Sequence, residues 1–238
     1  MGDHELDRAR VPEAVRLFDA LIERHPGDAE AHLARGRANE TGLFFLSLVA
    51  RPRRADQGEL TSAGFDTFRY QRSRAGSPLV AGTAAYRRAA NESFRRALEI
   101  EPGLVEARLR LGRVLALDGK TDEAVRELRA VASGPSPEAR YLAHLFLGRI
   151  EDEGGDTEGA TAHARAAVAL RPRWQSGRLA LAVLLRRAGR AEEASAEAAR
   201  AVVVPDEPSG EDGWLLYNVA AHDRAAAALE ALRGMVRP

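Results

Sequence analysis

One pattern of residues is written three times between Gly103 and Val204, and it limits what this chain can fold into more than any other feature. A turn and a helix read GKTDEAVRELRAV (Gly119 to Val131), GDTEGATAHARAAV (Gly155 to Val168) and GRAEEASAEAARAV (Gly189 to Val202). Gly112, Gly148 and Ala182 each stand twelve residues before Ala124, Ala160 and Ala194. The copies recur every thirty-four to thirty-six residues. That is the period of a helical solenoid, in which a unit of two helices, A then B, buries its apolar face only against its neighbours.

The same offsets extend the array in both directions. Ala14, Phe18, Leu21 and Pro26 are spaced like Ala90, Phe94, Ala97 and Pro102, so Val11 to His25 reads as a helix B that Pro26-Gly27 stops. Counting back twelve residues from Ala14 reaches Gly2, which places Met1 to about Ala9 in a cut-down helix A. Ala29 to Glu40 is the next helix A, with Gly36 where its paired helix approaches closely. Its helix B, Ala84 to Ile100, comes only after Thr41 to Thr83, so an insertion splits that unit.

Regular helices follow at Leu104 to Leu117, Asp122 to Ala132, Pro137 to Asp152, Thr157 to Leu170, Trp174 to Ala188 and Ala191 to Val203. Gly119, Gly155 and Gly189 are expected to end three of them in the left-handed conformation. Val204 to Gly213 breaks the array; short helices around Trp214 to Ala220 and His222 to Val236 make a shortened last unit. The expected organisation is one solenoid over 1–238: a partial repeat at 1–28, a second at 29–104 with the insertion at 41–83, regular repeats at 105–140, 141–174 and 175–208, and a short unit at 209–238.

The insertion departs from the rhythm and holds Phe44, Phe45, Phe65, Phe68 and Tyr70. Gly42 to Ala50 is expected to prolong the preceding helix, and Arg51 to Pro78, punctuated by Pro52, Gly58, Gly64 and Gly76, reads as an irregular loop. Long loops of this kind are functional or disordered, and the phenylalanines argue for packing on the solenoid or on another subunit. Phe65 to Arg74 interleaves aromatic and basic residues as a single-strand binder does. Thirty-five basic and thirty-five acidic residues cancel, however, so no field draws in nucleic acid and none is expected as a partner.

Chemistry finds little to stand on. The chain has no cysteine, which removes thiolate catalysis and thiolate metal sites. Six histidines form no HExxH pair and no Ser/His/Asp constellation. His32 and His144 take the large-residue place of a helix A, where packing between units accounts for them. Gly119-Lys120-Thr121 ends like a phosphate-binding loop, but Gly112 lies too far upstream and no strand leads into it. No enzymatic activity, cofactor or metal is expected. No apolar run of eighteen residues exists, so no membrane span is expected, and Met1 to Arg10 does not read as a signal peptide. The compartment stays open between cytoplasm and export after loss of a leader. Lys120 is the only lysine among many arginines, a bias that suits a GC-rich bacterial genome.

With these residues in view, the chain resembles the tetratricopeptide repeat family, whose unit runs from a large residue through Leu-Gly to Ala, a bulky residue, a small residue and Pro. Leu111-Gly112 with Ala124, Leu128 and Val131 match, as do Leu147-Gly148 with Ala160, Ala164, Ala167 and Pro172. Leu181-Ala182 with Ala194, Ala198 and Ala201 fits more loosely. The resemblance implies an all-α, right-handed superhelix of about five and a half units whose A helices line a concave groove that holds peptides or proteins. Some members grip a peptide carboxylate with a lysine on helix A. Leu33, Leu109, Leu145 and Leu179 stand in its place here, so that clamp is not expected.

Aligning the A helices leaves a leucine stripe (Leu33, Leu109, Leu145, Leu179) and, four residues on, an arginine stripe (Arg37, Arg113, Arg149) that Val183 breaks. Such a surface suits a protein or peptide with apolar and acidic side chains, since arginine holds carboxylates with two bonds. The competing reading is that the leucines pack on neighbouring helices and the arginines are merely solvated. Neither end carries a polar capping helix, so the alternative function is structural: subunits stack end to end into a filament or ring through the termini and the insertion.

Overall fold

The computed structural model describes residues 3–49 and 78–202, with side chains for 11–43 and 82–201. Among the described residues there are nine helices and no strand. In chain order they are α1 (Asp3–Arg24), α2 (Ala29–Val49), α3 (Pro78–Ile100), α4 (Val105–Leu117), α5 (Thr121–Ala132), α6 (Pro137–Glu153), α7 (Thr157–Leu170), α8 (Gln175–Arg187) and α9 (Ala191–Val202). The repeat helices lie within about a residue of the ends expected for them. Every described helix is too short or too polar to cross a membrane.

Local chemistry sets the boundaries. The Asp28 carboxylate accepts from Ala31 N–H at 3.1 Å before α2. Ser136 Oγ accepts from Ala139 N–H at 3.2 Å before α6, which has proline at its first position. Asp156 does the same for Gly159 at 2.9 Å before α7. Helices α4, α6 and α8 end alike. Gly119, Gly155 and Gly189 take φ of 74°, 89° and 77°, as expected of them. Lys120, Asp156 and Arg190 N–H then reach back to the carbonyls of Leu115, Glu151 and Leu185 at 3.0, 2.9 and 2.9 Å. This double-bonded finish needs a left-handed residue, which glycine adopts without a Cβ penalty.

Two compact units divide the chain, one of residues up to Ala107 and one from Arg108. In the first, α1 packs on α2 and α2 on α3. Ala14 and Phe18 of α1 meet Ala38 of α2 in a small core flanked by Val15, Leu21 and Ala34. Phe94 is fully buried, and a Cβ at Gly36 would fall on its ring. In the second unit α5 packs on α6, α6 on α7, α7 on α8 and α8 on α9. Gly112 of α4 lies where a Cβ would meet Leu128 Cγ of α5 at 2.6 Å, and Gly148 of α6 where one would meet the Ala160 carbonyl of α7 at 3.0 Å. A Cβ at Gly112 would also meet the Ala124 carbonyl at 3.4 Å, so in these two repeats the glycine faces the alanine twelve residues on across the helix-A to helix-B contact.

Two boundaries differ from the reading of the sequence. Residues 3–24 form one helix with Pro12 inside it, in place of a short helix A ending near Ala9 followed by a helix B. Proline holds a helical φ and costs this helix one backbone hydrogen bond, so it does not have to end there. Helix α2 runs on to Val49, as the apolar stretch after Gly42 suggested. Helix α3 starts at Pro78, six residues ahead of the expected Ala84, with proline at the first position that tolerates it. Of the loop expected from Arg51 to Pro78, residues 51–77, with Phe65, Phe68 and Tyr70, lie outside the described residues, as does the unit expected at 209–238. Phe44 and Phe45 belong to α2, but their side chains are outside the description too.

Candidate functional site

The two stripes do not form one uniform surface. In the first unit Leu33 is buried, and Arg37 gives its Nε to Glu106 Oε1 at 2.8 Å and its Nη2 to Oε2, a two-bond ion pair with both side chains about two-fifths exposed. In the second unit Leu109 and Leu145 are buried at 3% and 2% exposure, whereas Leu179 on α8 stands 38% exposed. Arg113 is half-buried. Arg149 is 5% exposed and gives Nε and Nη2 to Glu153 Oε1 at 3.0 and 3.1 Å. Leu33, Leu109, Leu145 and Arg149 are thus all covered, and Arg149 is ion-paired to Glu153 and not merely solvated. A helix-A residue that faces a neighbouring helix is covered by it, and spacing along one helix does not report this.

A second arrangement escaped the sequence reading because it lies across helices. Four residues before the close-packing glycine or alanine, each helix A of the second unit reaches a residue nineteen positions later on helix B. In α4 and α5 this is Arg108 Nη1 to Glu127 Oε2 at 2.9 Å. In α8 and α9 it is Arg178 Nη1 to Glu197 Oε2 at 2.7 Å. Between them, in α6 and α7, the same slot holds His144 and His163, with Nδ1 facing Nδ1 at 2.9 Å. The Nε2 of His163 meets Glu151 Oε1 at 3.3 Å. Glu151 occupies the place that Leu115 and Leu185 take in the flanking repeats, and its Oε2 is buried without a hydrogen-bond partner. Repeat alignment four residues before Gly148 would have shown the substitution of His for Arg; the expectation that His144 packs between units overlooked its partner within its own repeat.

Burial shifts His144 toward its neutral form, and the positive charges of His163 and Arg140 push the same way. Among the described residues, no group of three or more His, Cys, Asp or Glu side chains could hold a metal ion.

The tetratricopeptide repeat profile matches residues 1–42, 84–140 and 119–173, more than half of the chain, and passes over the region where the insertion was expected. Two crystal structures of MamA superpose with TM-scores of 0.57 and 0.56, both at 14% identity, covering 85% of this chain and 94% and 86% of theirs. YrrB, a repeat protein described as having an unusual peptide-binding site, aligns at 18% identity over 90% of this chain and 97% of its own, with a TM-score of 0.40. No curated protein sequence matches the chain. The MamA likeness is one of fold, and together with the profile match and the paired helices it leads to one conclusion: this chain belongs to the tetratricopeptide repeat family, an all-α helical repeat solenoid built for protein interaction.

Proposed function

We propose that the chain is a non-catalytic scaffold whose A helices hold a protein or peptide segment bearing apolar and acidic side chains. The observation that carries this reading is Leu179. It stands at the helix-A place from which the family's clamp residue acts, and it remains 38% exposed where Leu109 and Leu145 are covered. Arg113 supplies the positive charge beside the buried leucines, one turn further along α4 from Leu109. Arg149 takes a supporting part, because its guanidinium is already engaged by Glu153.

Peptides selected from a displayed library against the full chain test the proposal. The expected binders carry a leucine-like anchor with a nearby carboxylate, and their affinity by fluorescence anisotropy falls at least about tenfold in Leu179→Glu and in Arg113→Glu, roughly one strong contact. Selected peptides that bind both variants as well as the parent would sink the site. Light scattering on the same samples separates the alternative function, since end-to-end assembly yields species that grow with concentration and a scaffold stays monomeric.

A further inference from the structure

The slot shared by His144 and His163 differs chemically from its neighbours in one respect: its bond depends on a proton. The ring centroids are 5.1 Å apart and the Nδ1 atoms 2.9 Å, so the centroids exceed the nitrogens by about two ring radii. The two nitrogens therefore point at each other. Lone pairs that shared a metal ion would instead converge on a third point, so the geometry is that of a single N–H···N bond.

We propose that His144, His163 and Glu151 form a proton-operated latch between the two helices of one repeat, closed near neutral pH and opened by the arrival of a second proton. With Nε2–H directed at Glu151, neutral His163 presents a bare Nδ1 that accepts from the Nδ1–H of His144. One added proton keeps the bond. His163 becomes an imidazolium donating to Glu151 and to His144, and His144 changes tautomer to accept. A second proton occupies the last lone pair, so N–H faces N–H between two cations. Arg140, one turn before His144 on α6, adds a third positive charge.

The helices packed on either side leave the balance to these groups. From α5 the Ala132 carbonyl engages Arg140 at 3.2 Å, while Glu127 is tied to Arg108 and Arg126 and Arg129 are exposed. From α8, Arg178 is tied to Glu197, Arg187 to Asp152, and Arg186 is exposed. The folded chain holds His144 neutral more strongly than the unfolded chain does, so the unfolded state binds the proton first. Stability from this slot is then full above the ordinary imidazole value of about 6.5 and is lost as pH falls below it. The Arg108–Glu127 and Arg178–Glu197 pairs bridge their helices without a histidine.

Amide hydrogen exchange on the full chain, corrected for intrinsic rates, reads the latch directly. Between pH 7.5 and 5.0, peptides from 137–170 are expected to lose protection, while those from 105–132 and 175–202 hold theirs. Replacing the trio with its neighbours' residues, His144→Arg, Glu151→Leu and His163→Glu, should remove the response. His144→Asn, a neutral side chain that cannot take a proton, should remove it too and guards against failure of the triple variant to fold. An equal response in parent and variants, or none in the parent, would overturn the latch. So would protection of 137–170 gained on adding Zn²⁺ at pH 7.5 and absent in His144→Asn, which would mark a metal pair instead.

Discussion

The hydroxyl of Tyr141 caps a helix other than its own: it accepts from the backbone N–H of Gly177, in the first turn of α8, at 2.8 Å. Helix α8 has Trp174 at its cap position and no side-chain cap of its own. Tyr141 is fully buried on α6 and meets Trp174 edge to face at 4.7 Å. One side chain thus ties the helix A of one repeat to the start of the next. Tyr141→Phe keeps the ring and leaves that N–H buried without its acceptor. The expected cost is about 1–2 kcal/mol, in the range of a lost cap, read as a lower urea midpoint with unchanged helicity.

Close approach of α2 and α3 rests on Gly36. A Cβ there would overlap the Phe94 ring, which has no exposed edge along which to retreat. Gly36→Val should destabilise the first unit by about 1–3 kcal/mol, the usual cost of overpacking a core. Gly27, with open space around a built Cβ, is the control. Gly27→Ala should leave the thermal midpoint where it was, and a comparable loss in both variants would show that packing against Phe94 is not the reason for Gly36.

How much of this was legible depended on whether the determining contact is periodic. The twelve-residue interval from Gly112 to Ala124 announces itself because the glycine is small for the sake of a helix that the same repeat supplies. Gly119, Gly155 and Gly189 are equally visible, since the turn chemistry is local. The count back from Ala14 to Gly2 misled because it reports the period of two helices, whereas residues 3–24 form one helix that tolerates Pro12 inside it at the loss of a bond. The burial of Leu33, Leu109 and Leu145 was illegible in principle: their spacing states a shared face, while what covers that face is a tertiary matter. The His144–His163–Glu151 trio was hidden differently. Its members are ordinary one at a time and become unusual only when Arg108, Glu127 and Leu115 are placed beside them.

Two ion pairs on the arginine stripe should respond unequally to the same loss of charge. Arg149 is nearly buried and gives two nitrogens to Glu153, whereas Arg37 and Glu106 are about two-fifths exposed. Glu153→Gln should cost about 1.5–3 kcal/mol, the range for a hydrogen-bonded charge out of water. Glu106→Gln should cost under about 1 kcal/mol, as exposed pairs do. Urea unfolding of the two variants side by side checks the ordering. Similar small losses would mean that burial of Arg149 adds nothing to its pairing with Glu153.

At the start of α9, Arg190 supplies Nε and Nη2 to the two oxygens of Glu193 at 2.6 and 2.5 Å. These hydrogen bonds hold the Glu193 carboxyl below its ordinary value against the opposing effect of desolvation, with the charges of Arg190 and Arg165 adding to them. A depressed carboxylate stabilises the fold above the ordinary carboxylate range of about 4.3, and that contribution disappears as pH falls through the folded value. The carboxyl carbon of Glu193, followed by NMR, should therefore titrate at lower pH than an unpaired glutamate and return toward the ordinary range in Arg190→Gln. Because the pair lies in water, raising the salt concentration should move the parent in the same direction. A midpoint indifferent to both the substitution and salt would place the cause in the amino end of α9 itself, which favours a carboxylate in its first turn whether or not Arg190 is there.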